Sequence, residues 1–241
     1  MFFDMNTFAV YLYEEIFSTS GAMTLHEIGD FPLDNMYEYI HQLEAHTAYP
    51  KIPLRRENFT EYASVHDKRY VDELIRLSRS EDIDFSFKLS FECVDMWHLL
   101  PGYEYGLGGM YNAIDMMKGG ELERAFVATL PSHHAYIDHS HGYCLVNTLA
   151  ASARYAQGKG FHNILILDWD FHHGDGTQDI FKHDDTVHTF STHSILDLYM
   201  AAVRATERGT TYYSSTITED TNIPITKKHD SETIAEIGLP G

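Results

Sequence analysis

Cysteine is nearly absent: Cys93 and Cys144 are the only two in 241 residues. That excludes a disulfide framework and a multi-cysteine zinc site, so any bound metal must be held by histidine and carboxylate. Long apolar runs are missing too. No stretch reaches the length a membrane helix needs, and the N-terminus "MFFDMNTFAVYLYEE" lacks the basic lead of a signal peptide. Cytoplasm is therefore the expected compartment, with no membrane partner. Basic residues are scarce: 17 Lys and Arg stand against 36 Asp and Glu, a formal charge of -19. Proteins that bind nucleic acid directly use positive charge to displace counterions from phosphate, so that class is excluded. An acidic surface keeps a protein soluble and favours the approach of cationic small molecules or basic peptides.

Histidine is abundant instead. Ten of the 16 histidines fall between His133 and His193. The chain has the length of a single domain, read over 1–241, and shows neither internal repeat nor low-complexity linker. "SVHDKRYVDELIRLSRS" (64–80) reads as an amphipathic helix with Tyr70, Val71, Leu74, Ile75 and Leu77 on one stripe. "DFSFKLSFE" (84–92) alternates like a strand. A helix is expected from about Gly108, stopped by Gly119 and Gly120. "RAFVATL" reads as a strand ending at Pro131, and 144–160 as a helix closed near Gly158. "NILILDWD" is the next strand, "TQDIFKH" a helix with Thr177 as N-cap, and "DTVHTFSTH" (185–193) a further strand. Strands alternating with helices predict an α/β fold, a three-layer α/β/α arrangement with a mainly parallel sheet. Leu165, Leu167, Val127 and Phe190 are expected to be deeply buried.

In open α/β sheets, ligands bind beyond the carboxyl ends of the strands. Three successive strands here end in polar clusters: "LPSHH" (130–134), "DWDFHHGDG" (168–176) and "STHS" (191–194). They point to one shared site. The chain is expected to run extended past Asp168, so that Asp168, Asp170 and His172 share one face and Trp169, Phe171 and His173 the other. A carboxylate and an imidazole two residues apart can grip one divalent cation at roughly 2.0–2.2 Å for zinc. Gly174 and Gly176 then turn the backbone into the next helix. Asp168 and Asp175 remain as carboxylates able to fix the tautomer and raise the basicity of His133 and His134. Two His–Asp pairs beside a metal-bound water make a hydrolase site.

"LPSHHAYIDHSHGYCLVNTLAASARYA" and "ILILDWDFHHGDGTQDIFKHDDTVHTFSTHS" resemble the core of the zinc-dependent histone deacetylase and acetylpolyamine amidohydrolase family. The first is similar to that family's P-x-G-H-H-A … G-F-C-x-x-N-N pattern, the second to its D-x-D-x-H-H-G-x-G-T-Q pattern. The likeness runs over about residues 60–194. It implies an arginase/deacetylase-like fold and removal of acetyl groups from an acetylated amine, either a small molecule such as an acetylpolyamine or acetyl-lysine in a protein. It also implies roles. Asp170 and His172 would be ligands to Zn2+ or another divalent metal. His133 and His134 would be the tandem catalytic histidines, paired with Asp168 and Asp175 respectively. Gly142 and Tyr143 would line the substrate tunnel, with Tyr143 standing in the usual Phe position. Asp168, Asp170, His172, Ser191 and Thr192 would surround a monovalent cation, K+. His139 and His141 acquire no role and read as surface histidines.

The sequence departs from that pattern in three ways. Ser132 replaces the usual Gly before the histidine pair. The family's third zinc ligand, an Asp in a later G-A-D-type loop, has no counterpart motif here. Its transition-state-stabilising Tyr, in a still later Gly-rich loop, has none either. The acids beyond Ser194 (Glu219, Asp220, Asp230, Glu232, Glu236) lack that context. The expectation is a domain whose C-terminal part is missing, with little or no turnover of its own. Two other readings compete: a deacetylase-like protein that binds without catalysis, and an arginase-like binuclear manganese hydrolase. The second needs a bridging Asp where this chain has Gly174. Glu92, Asp95 and Glu104 are candidates for an acidic rim toward a cationic substrate. The sequence does not specify an oligomeric state.

Overall fold

Every described strand pairs parallel to its neighbour, so each link between paired strands must cross over the sheet rather than turn back as a hairpin. The computed structural model describes residues 7–13, 16, 41–43, 45, 48–79, 100–194 and 222–225. The expected strand at 84–92 lies outside them. The chain forms two compact units, dividing after His162.

In the first unit, β1 (Phe8–Tyr11) pairs with β2 (Arg124–Val127), Phe8 opposite Arg124 and Tyr11 opposite Val127. On the other edge of β1, Val10 N–H donates to Pro50 O and Ile52 N–H to Val10 O (2.9 and 2.8 Å). Ala9, Val10 and Tyr11 are all buried. Helix α1 (Lys68–Leu77) begins where Asp67 accepts from Arg69 N–H, a side-chain cap that satisfies one of the helix's orphan donors. It buries Tyr70, Val71, Leu74 and Leu77, leaving Ile75 half-buried. The residues before it, Phe59–Ser64, form a separate 3-10 turn, so the single helix expected from 64 is two elements.

Helix α2 (Leu100–Lys118) starts eight residues before the expected Gly108. The reason is packing. A Cβ on Gly102 would collide with the Ile16 carbonyl, one on Gly108 with the Arg55 carbonyl, and one on Gly109 with the Tyr11 ring. Glycine weakens a helix by roughly 1 kcal/mol per residue, yet here it lets α2 lie directly on backbone. Its end is as expected: Gly120 takes φ +76°. Helix α3 (Thr148–Gly158) is capped by Asn147, whose side chain accepts from Ala150 N–H at 2.9 Å. It packs on α2 through stacked Tyr111 and Tyr155 rings, 3.6 Å apart. Arg55 donates to Asn112 (3.2 Å) and Asp115 (2.9 Å), tying the 50–57 segment to α2.

The second unit is a sheet in the order β3–β4–β5: β3 (Ile164–Asp168), β4 (Val187–Ser194) and β5 (Asn222–Ile225). Helix α4 (Asp175–Phe181) makes the crossover from β3 to β4. Two expectations need correction. Thr177 is not the N-cap; Gly174 holds that position, and Thr177 is buried inside the first turn. Leu165 and Leu167 are not buried but 64% and 49% exposed, and Val127 and Phe190 are only half-buried. An unbroken apolar run reads as a strand covered on both faces. In this unit, Ile166 and Thr189 line one hollow with Thr177 and Gln178 of α4, so the helix covers their face. Leu165 and Leu167 occupy the other.

Candidate active site

The histidine-bearing loop of the first unit, 131–147, is hung from hydrogen bonds to the helices around it. Tyr103 Oη donates to Pro131 O (3.1 Å) and Tyr70 Oη to Leu145 O (2.7 Å). Asp67 N–H donates to Ile137 O at 2.7 Å. Within the loop, His141 and Cys144 exchange backbone hydrogen bonds around a turn. Its two central residues, Gly142 (φ +50°) and Tyr143 (φ +64°), are both left-handed, the combination a type I′ turn requires. For Tyr143 that backbone costs roughly 1–2 kcal/mol. The turn presses Gly142 onto His134, where any Cβ would collide with the imidazole ring. His133 and His134 lie with ring centroids 4.0 Å apart, and His134 is buried. Thus the tandem histidines and the residues expected to line the tunnel do lie together within this unit.

Two neighbours were not legible as such. His141, read as a surface residue, packs its ring against His134, centroids 5.1 Å apart at 68°. The turn at 142–143 places it there, and linear spacing carries no sign of that. His139 stays half-exposed, stacked on Tyr136 and paired with Asp138 at 2.8 Å. The second neighbour is His66, whose two ring nitrogens both reach this loop.

In the second unit, Asp168 ends β3 opposite Ser191 of β4. Both line the hollow bounded by Gly174 and Thr177. Thr192 follows in β4. Beyond Asp168 the chain does not stay extended as expected. Asp168 Oδ1 accepts from Asp170 N–H (3.0 Å), and Asp170 Oδ1 from His172 N–H (2.7 Å). Short Asp side chains compete for backbone donors in this way and curl the chain. The curl still brings His172 Nδ1 within 3.0 Å of Asp170 Oδ1, both side chains about half-exposed. A carboxylate oxygen and an imidazole nitrogen, adjacent and open to solvent, fit the donor types of a divalent metal such as zinc. Asp175 opens α4 and accepts from Gly176 N–H at 2.9 Å. Deeper in the unit, His173 and His193 pack ring to ring (4.5 Å), and His193 Nδ1 lies 2.9 Å from Ser191 Oγ.

The pairings His133–Asp168 and His134–Asp175 would join residues of the two units. Glu104, a candidate for an acidic rim, instead accepts from Arg56 (2.8 Å) and from Phe59 N–H (3.1 Å). Glu92, Asp95 and the acids after Ser194 lie outside the described residues.

Residues 32–237 match the profile of a family described as "Histone deacetylase domain". A probable deacetylase of Archaeoglobus fulgidus is 36% identical over 148 residues, 61% of this chain and 39% of that protein. An acetylpolyamine amidohydrolase of Mycoplana ramosa is 42% identical over 97 residues, 39% of this chain and 28% of that protein. The solved HDA15 HD domain superposes with a TM-score of 0.61 at 24% identity, covering 79% of this chain and 54% of that one. That likeness shows the α/β deacetylase fold. The chain spans well under half the length of these two curated relatives.

Proposed function

Because this chain belongs to the histone deacetylase family, we propose that it is built to hydrolyse acetylated amines, with acetyl-lysine and acetylpolyamine as the substrate classes. The observation that carries the reading is the tandem pair itself: His133 and His134 in ring contact, with Gly142 pressed on His134. Asp170 and His172 would hold the metal, zinc by the chemistry of the donors. When bound, zinc supplies a Lewis acid that polarises the acetyl carbonyl and acidifies water. Everything else falls to this chain's own groups. Gly142 and Tyr143 line the approach of the acetylated amine. One of the tandem histidines takes a proton from water as its oxygen attacks the carbonyl carbon. The pair then delivers a proton to the amine nitrogen as the C–N bond breaks, giving acetate and free amine. Asp168 and Asp175 would hold the imidazoles in the tautomers this needs, as the family resemblance implies. Asp168, Asp170, His172, Ser191 and Thr192 would surround K+.

The sequence supplies no motif for a third zinc ligand or for the oxyanion-stabilising Tyr, whereas catalytic zinc ordinarily has three protein ligands. Zinc should therefore bind this 241-residue chain weakly, and turnover should be low. A second reading, a deacetylase-like protein that binds acetylated ligands without cleaving them, predicts ligand binding with no acetyl release. Equilibrium dialysis against zinc, with acetyl release measured on the same samples, tests both. Asp170→Ala and His172→Ala should each lower zinc occupancy, and His134→Ala should cut any deacetylation roughly 10²- to 10⁴-fold. His139→Ala should change little. Tight stoichiometric zinc that survives Asp170→Ala and His172→Ala would show the ligands to be wrong. Fast zinc-dependent turnover would mean that an acid after Ser194 completes the site.

A further inference from the structure

We propose that His66 is a positioning residue for the catalytic loop, its neutral ring clamping the histidine-bearing segment at two points through its two nitrogens. The catalytic consequence rests on the deacetylase reading; the clamp itself does not.

His66 stands between the 3-10 turn at 59–64 and α1, and is 4% exposed. Its Nδ1 lies 2.8 Å from Tyr136 O, a carbonyl that can only accept, so Nδ1 must carry the hydrogen. Its Nε2 lies 2.8 Å from Asn147 N, a backbone amide that can only donate, so Nε2 must be bare. Two partners of fixed polarity leave one state, the neutral Nδ1–H tautomer. A protonated ring would lose the Asn147 bond, and burial agrees, pushing the imidazole down to about 4.

The ordinary alternative is a core histidine that merely satisfies its own helix. The geometry differs from that, since both nitrogens reach across the fold to one loop. Tyr136 and Asn147 flank the His141–Cys144 turn that seats Gly142 on His134. Asn147 also caps α3, and Asp67, next to His66, holds Ile137. Consecutive residues 66 and 67 thus fix the loop on both sides of the turn.

The test uses the full chain labelled with ¹⁵N-histidine, read by imidazole NMR and backbone amide exchange. Three variants separate the two arms. His66→Asn keeps a donor near the Nδ1 position, His66→Gln places an acceptor near Nε2, and His66→Leu removes both. The wild-type ring should show the Nδ1–H signature and not titrate between pH 5 and 8. His66→Leu should speed exchange at Asn147, His141 and Cys144 about tenfold, the scale of one lost hydrogen bond. It should also shift the His133 and His134 ring signals while leaving amides in the interior of α2 unchanged. Asn should restore the Tyr136 side only, and Gln the Asn147 side only. An Nε2–H signature, titration near the ordinary histidine range, unchanged loop exchange, or exchange raised uniformly through the first unit would each overturn the clamp. If His66→Leu fails to fold, the Asn and Gln pair still decides. In zinc-loaded samples kcat on an acetyl-lysine peptide should fall in these variants with KM held. A wild-type chain that neither binds an acetylated amine nor hydrolyses it, but keeps the clamp signature intact, would count against the deacetylase reading alone.

Discussion

At His66 a buried base makes stability depend on pH in a definite direction. Its folded-state value is pushed to about 4 by burial, against an ordinary value near 6.5 in the unfolded chain. Between those two values the unfolded state binds the extra proton, so stability must fall as the solution is acidified through that window. The rings facing His66 are Tyr62 and Tyr70, and tyrosine does not titrate there. Comparing denaturant midpoints of wild type and His66→Leu at pH 7 and pH 4 isolates the effect. Wild type should lose on the order of 3 kcal/mol more than the variant over that interval. Equal losses in the two proteins would show that His66 can take up a proton in the folded chain without cost. Nothing in the local sequence marks this residue: its partners lie about 70 and 80 positions away, and only packing reveals them. His141 escaped the sequence for the same reason. Asp170 and His172 did not, because their juxtaposition is local.

Among the elements, α2 shows most clearly what periodicity cannot report. "YEYGLGGMY" reads as a loop running into a helix because glycine is a poor helix former. The structure keeps it helical because each of Gly102, Gly108 and Gly109 faces a close neighbour where a Cβ has no room. Gly108→Ala should therefore destabilise the protein by about 1–3 kcal/mol despite alanine's better propensity, since backbone at Arg55 must move. Gly158 offers the control. A Cβ there meets nothing within 4 Å, so Gly158→Ala at the end of α3 should be neutral or stabilise by up to about 1 kcal/mol. Urea denaturation of the two variants checks both signs, and a neutral Gly108→Ala would mean that the 50–57 segment yields easily. The elements best foreseen were β3, α4 and β4, where apolar runs alternate with polar strand ends. Even there Leu165 and Leu167 are exposed rather than buried, because a pattern shows which faces are apolar but not which layers cover them. The curl of Asp168 to His172 was hidden too: a spacing of two suits an extended strand and successive Asp turns alike.

Across the whole molecule the dominant physical quantity is charge, -19 over 241 residues. No helix among the described residues is long and apolar enough to cross a membrane. A field of that size concentrates cations near the surface and repels anions. Of the two substrate classes proposed, acetylpolyamines carry free ammonium groups, and lysine-rich acetylated peptides carry several. Both should bind with a large electrostatic component that salt removes, because the screening length shrinks from roughly 10 Å at 0.1 M to about 3 Å at 1 M. A neutral acetamide of similar length feels no such attraction and should be indifferent to salt. Calorimetric titration of the zinc-loaded chain with an acetylated polyamine and with its neutral analogue, at low and high sodium chloride, separates the contributions. The polyamine should weaken several-fold while the neutral ligand holds steady. If both hold steady, the acidic residues serve solubility alone, and selectivity must come from contacts at the tunnel that Gly142 and Tyr143 are proposed to line. If both weaken together, salt is acting on the site itself, for instance by displacing the metal from its proposed ligands Asp170 and His172, and zinc occupancy measured on the same samples would show it.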